Sequence, residues 1–234
     1  MQLTLDNRTK CGCSTAFSRE YWRRHGWELA NRGRRIRFSI SALVRVRVDD
    51  QFLLVRGYRI ERFQPVGGVL KYYPTALPEL MACGLEPDVL YERDEVNEND
   101  LRIVVRADRL CRFLKWYESG KGREHSPWRE FYRELIVAGH ISHTSTPFAD
   151  FQYLSRHSSS LDWNEDLCVF ECFVAEMYEW MTTPAQEEEL RHLMTKSSDD
   201  YRWATLQEIE AYGIIPKQQA AASISNSAVW LLES

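Results

Sequence analysis

A chain of 234 residues, 44% apolar and 27% charged, can bury a large core and has the composition of an ordinary soluble globular protein. Its net charge of −4, from 30 basic and 34 acidic residues, argues against wrapping extended nucleic acid. No apolar run approaches the ~20 residues needed to span a bilayer, and the first residues carry Arg8 and Lys10 without the apolar stretch of a secretory signal. The expected location is therefore the cytoplasm. The six cysteines form no CxxC pair and read as reduced thiols. Cys11 and Cys13 with His25 do not have the spacing of a common structural zinc site.

In chain order, residues 1–35 read as an N-terminal arm. Arg23, Arg24, Arg32, Arg34 and Arg35 stand there among Phe17, Tyr21, Trp22 and Trp27, with a short helix expected over Ser18 to Ala30. Residues 36–234 read as one domain with an insertion at 71–125. Ile36 to Val48 largely alternates apolar and polar, which predicts a strand with one buried face. Asp49-Asp50-Gln51 makes a turn into a return strand, Phe52 to Arg56. Gly67 and Gly68 interrupt the next apolar stretch, so the backbone there bulges or lies close to something.

Within the insertion, an irregular part through Pro74, Pro78 and Pro87 precedes a strand over Leu101 to Arg106. An amphipathic helix follows over Asp108 to Glu118, with Leu110, Phe113, Leu114 and Tyr117 on one face. The loop Gly120-Lys121-Gly122-Arg123 reads either as a plain connection or as a phosphate cradle. Ser126 to Gly139 predicts a helix, because Ser126 can cap it, Pro127 suits its first position and Gly139 can end it. Phe131, Tyr132, Leu135 and Ile136 fall on one side and Glu130, Arg133 and Glu134 on the other. Two carboxylates on one ledge suit a hard divalent cation; a solvated face of salt bridges is the alternative.

Downstream, His140 to Leu154 reads as a strand and a turn, and Cys168 to Ala175 as a central strand. Pro184 to Thr195 reads as a charged helix carrying Glu187, Glu188 and Glu189. Trp203 to Ile209 reads as a strand entering a helix capped by Thr205, and a last helix is expected near Ser225 to Leu232.

The order of hairpin, glycine pair, helix with Arg-Glu-Φ-x-x-Glu-Leu (Φ apolar), central strand and Trp-x-Thr-Leu-x-Glu-Ile resembles the Nudix superfamily. Its box is Gly-x5-Glu-x7-Arg-Glu-U-x-Glu-Glu-x-Gly-U, where U is bulky and aliphatic. Arg129, Glu130 and Phe131 match Arg-Glu-U, and Glu134 matches the second of the adjacent glutamates. Arg133 stands in place of the first, Ile136 in place of the late glycine, and the glutamate after the glycine has no counterpart near Tyr73 and Pro74. The strings Asn99-Asp100-Leu101-Arg102, Phe113-Leu114-Lys115-Trp116, Ser119 to Glu124 and Ser126 to Phe131 look like the SMODS-associated, or CD-NTase-associated, Nudix domains of bacterial antiphage systems.

The resemblance implies an α/β fold, an α/β/α sandwich around a mixed sheet, and a role as effector or sensor in cyclic-oligonucleotide signalling against phage. It implies a nucleotide or cyclic oligonucleotide as ligand and leaves a homo-oligomer possible. Gly67, Gly68, Arg123, Arg129 and Arg133 would bind phosphate. Under the alternative, a hydrolase of nucleoside diphosphate derivatives, Glu130 and Glu134 would be catalytic and hold Mg²⁺ or Mn²⁺. Glu124, Glu171 or one of Glu187 to Glu189 would then supply further carboxylates.

Overall fold

The computed structural model describes residues 26–57, 61–88, 90, 97–214 and 223–232. Cys11, Cys13, His25 and the arm's Arg23 and Arg24 lie outside them. The helix expected from Ser18 is described from residue 26 to residue 30.

The alternating and apolar runs become ten strands: β1 (Arg35–Arg45), β2 (Arg47–Val48), β3 (Gln51–Arg56), β4 (Phe63–Val69), β5 (Glu86–Pro87), β6 (Arg102–Arg106), β7 (Asp150–Ser158), β8 (Asp162–Asn164), β9 (Val169–Met181) and β10 (Tyr201–Thr205). Helices stand between them at Leu77–Ala82, Leu110–Ser119, Trp128–Phe131, Pro184–Met194 and Leu206–Glu210. This is the α/β class that the sequence implies. Strand β9 runs on to Met181, well past Ala175, because Met177, Tyr178 and Trp180 keep it buried despite Glu176 and Glu179.

The chain divides into two units. The described part of the first comprises residues 26–41, Val69–His125 and Arg156–Ala175. In it β1 pairs antiparallel with β6, from Arg35 opposite Arg106 to Ser39 opposite Arg102, and β5 pairs with β6. Phe38 of β1 stacks on Phe113 at 4.5 Å, so the amphipathic face of Leu110–Ser119 is buried as its spacing requires. The expected irregular segment near Pro74 instead forms a 3-10 turn, Pro74–Ala76, and the helix Leu77–Ala82. Arg37, 3% exposed, pairs with Asp88 and Glu171 in this interior.

The second unit comprises Ala42–Gly68, Ser126–Ser155 and the described part of Glu176–Ser234. Here β3 is flanked by β4 and β10, with Leu54 opposite both Pro65 and Arg202. One core cluster joins Val44, Leu53, Val66, Phe131, Leu135 and Trp180. Leu190 and Leu193 enter it from the helix Pro184–Met194. Thr183 starts that helix with a capping box, in which its side chain accepts from Gln186 N–H. Thr205 caps Leu206–Glu210 in the same way.

Candidate functional site: glycine pair and carboxylate ledge

Strand β4 needs glycine twice, for different reasons. Gly67 has φ +128, and a Cβ there would run into the carbonyl oxygen of Ala42. Gly68 lies under a side chain: its Cβ would be 2.8 Å from Cγ of Glu130. The helix carrying Glu130 is thus pressed against the strand at the glycines.

That helix begins one residue later than the sequence indicates, at Trp128, with Pro127 and not Ser126 as its N-cap. Ser126 Oγ accepts the Trp128 N–H at 3.2 Å, and Phe131 N–H donates to the Pro127 carbonyl at 3.0 Å. Trp128–Phe131 is α-helical, but Tyr132–Val137 widens into a π-helix. Phe131, Leu135 and Ile136 anchor it in the core beside Val66 and Trp180. Trp128 adds ring contacts to Phe131, Tyr132 and Phe151.

Glu130, Arg133 and Glu134 share the other side, with Arg129 beside them. Arg129 Nη1 pairs with Glu130 Oε1. Arg133 donates to Glu130 Oε2 from Nε at 2.8 Å and from Nη2 at 2.5 Å, and its Nη2 also reaches Glu134 Oε1 at 3.1 Å. Glu134 Oε2 accepts the Gly67 N–H at 2.8 Å. The two carboxylates are nearly covered, with side chains 13% and 9% exposed, whereas Arg129 and Arg133 are 34% and 47% exposed. Burial pushes the Glu134 carboxyl up to about 8, against the Gly67 N–H and the Arg133 charge, which both favour its ionised form.

Residues 35–232 match the family described as SMODS-associated NUDIX domain. The chain belongs to that family. No curated protein sequence matches it. The α/β fold is accordingly a Nudix-like one, with the glycine pair and the ledge helix in the second unit.

Nudix domains generally use divalent metals, but the residues of this ledge do not fit one. Each of the four oxygens of Glu130 and Glu134 already accepts from a guanidinium or from the Gly67 amide. Among the described residues no three His, Cys, Asp or Glu side chains group as metal ligands. Four of the five further carboxylates that the sequence offers are engaged elsewhere. Glu124 accepts the Lys71 N–H, Glu171 pairs with Arg37, Glu187 pairs with Arg191, and Glu189 holds Ser142 N–H and the Ser145 hydroxyl.

Arg123 belongs to the first unit. It is 5% exposed and donates from Nε to the Tyr117 carbonyl and from Nη1 to the Glu124 carbonyl, with its guanidinium 4.4 Å from the Tyr117 ring. Its visible work is to hold the end of the helix Leu110–Ser119 against the following loop. His140 and His143 pack edge-on against Tyr201 and Tyr132.

The second unit also holds a basic feature that the sequence did not signal. A cavity of about 420 Å³ is lined by three arginines, Arg56, Arg62 and Arg202, with Phe63 and the carboxylates Glu61 and Asp199, Glu61 pairing with Arg56. Arg56 stands opposite Phe63 and Arg202 opposite Leu54, so the three share one face of the strands by the period of two. Only the pairing register brings these arginines together.

Proposed function

We propose that this chain is a nucleotide-binding domain, acting as effector or sensor in nucleotide-signalled antiphage defence, whose degenerate box grips phosphate and does not cleave it. The observation that carries the reading is the half-exposed Arg133 guanidinium on the ledge. Its Nε and Nη2 are held in place by the carboxylates, and its Nη1 makes no hydrogen bond among the described residues. A guanidinium pre-oriented in this way offers a charge-assisted bond to a phosphate oxygen without metal. Arg129 adds a second positive charge beside it. The Arg56, Arg62 and Phe63 cavity further suits a phosphorylated aromatic ligand, which stacks on a ring and pairs with arginine. Family membership supports a nucleotide-related ligand of either outcome, bound or hydrolysed.

The test is incubation with Mg²⁺ or Mn²⁺ and a panel of nucleoside diphosphate derivatives and cyclic oligonucleotides, with binding followed by calorimetry and products by chromatography. We expect binding without products, weakened by Arg133→Ala. Turnover that Glu134→Gln abolishes would establish the hydrolase instead.

A further inference from the structure

We infer that Arg133 is a tethered cation that takes the place of the box metal, so that the resting protein has no divalent-cation site at Glu130 and Glu134. The inference concerns the protein without nucleotide and stands whether or not the ligand is later cleaved.

Charge balance comes first. Glu130 and Glu134 supply at most two negative charges, and Arg129 and Arg133 return two positive ones. A divalent cation entering this group would meet no net negative charge. Geometry points the same way. Arg133 Nη2 lies 2.5 Å from Glu130 Oε2 and 3.1 Å from Glu134 Oε1, and so bridges the two carboxylates. A bridging Mg²⁺ would use those same oxygens, at the short, near-octahedral distances it requires. The guanidinium and the ion exclude each other.

Displacing the arginine would be costly. Glu130 and Glu134 are almost buried, and carboxylates stripped of their partner in such a setting are strongly destabilised until another cation arrives. Glu134 is also fixed by a second task, because its other oxygen holds the amide of Gly67. Only the oxygen that Arg133 already occupies is left to face an ion. Arg133 and Glu134 follow Glu130 by three and four residues, so helical spacing itself sets all three on the ledge.

The experiment is Mn²⁺ binding to the full chain without nucleotide, followed by electron paramagnetic resonance of the free ion and by calorimetry. Wild type and Arg133→Lys should show no site tighter than about millimolar. Arg133→Glu should bind Mn²⁺ roughly tenfold or more tightly, and adding Glu130→Gln should remove the gain. Circular dichroism establishes that each variant is folded. If Arg133→Glu fails to fold, Arg133→Met, which removes the charge and keeps the volume, should show the same direction of change. A stoichiometric Mn²⁺ site in wild type that Glu130→Gln abolishes would overturn the inference. So would folded Arg133 variants that gain no affinity, because the guanidinium would then not be what excludes the ion.

Discussion

Gly68 is small because Glu130 needs its space. Gly68→Ala should lower stability by about 1–3 kcal/mol in urea unfolding, the range for forcing extra atoms into a packed contact. Gly67→Ala should cost more, since it adds a strained φ of +128 to a clash with backbone. Glu134 gives this site a pH dependence. Burial raises its carboxyl from 4.5 to about 8 in the folded state, so between these values the native protein holds a proton that the unfolded chain releases. Stability from this group therefore falls as pH rises from about 4.5 through about 8. Glu134→Gln keeps an acceptor for the Gly67 amide and removes the titration. The difference in Tm between pH 6 and pH 9 should shrink in the variant, as scanning calorimetry would read. Glu130 and Glu134 were legible from their spacing on a helix. The occupancy of all four of their oxygens was not, because side-chain pairing depends on distances that the box spacing does not encode. Arg123 is the opposite case: glycines and cations in a loop suggested a phosphate cradle, but the folded chain turns that guanidinium inward to the Tyr117 and Glu124 carbonyls.

Most elements were readable where local chemistry fixes them. Thr205 caps Leu206–Glu210 as its position before an apolar period suggested, and Ser119-Gly120 ends the helix that buries Phe113. The π-helix Tyr132–Val137 left no such trace. It closes i to i+5 bonds, as from Ala138 N–H to the Arg133 carbonyl, and its side-chain spacing is too close to that of an α-helix to be told apart over six residues. The long reach of β9 also escaped, since Glu176 and Glu179 interrupt its apolar pattern. A half-buried cap is the cleanest test at this scale. Thr183→Ala removes the side-chain half of the capping box of Pro184–Met194, leaving the backbone N–H of residue 183 on Gln186 Oε1, and should cost about 1 kcal/mol. Leu190 and Leu193 keep the helix in the core, so the loss should appear as a lower midpoint in urea with an unchanged slope.

At the scale of the whole chain, the family resemblance was legible over most of residues 36–215 of the 35–232 that match, whereas the division into two units was not. Each unit is assembled from three separated segments, and nothing local in β1, β7 or β9 marks where the strand passes from one unit to the other. Both units hold exposed ion pairs, Arg191 with Asp49 in the second and Arg112 with Glu79 in the first, worth little in water. The first buries Arg37 between Asp88 and Glu171, with the Arg37 and Asp88 side chains only 4% and 6% exposed. Burial opposes the charged form of Asp88, but its bonds to Arg37 outweigh this and hold its carboxyl below the ordinary value. Removing one member should therefore be severe. Arg37→Met leaves two carboxylates without their cation and should cost about 3–5 kcal/mol. The loss should be local. Hydrogen exchange should show the β6 amides of Arg102–Arg106, paired directly with the mutated strand, losing protection well before those of β10, Tyr201–Thr205. Simultaneous loss in both strands would mean that the two units unfold as one, and that the Arg37 cluster stabilises the ledge helix as much as the sheet in which it sits.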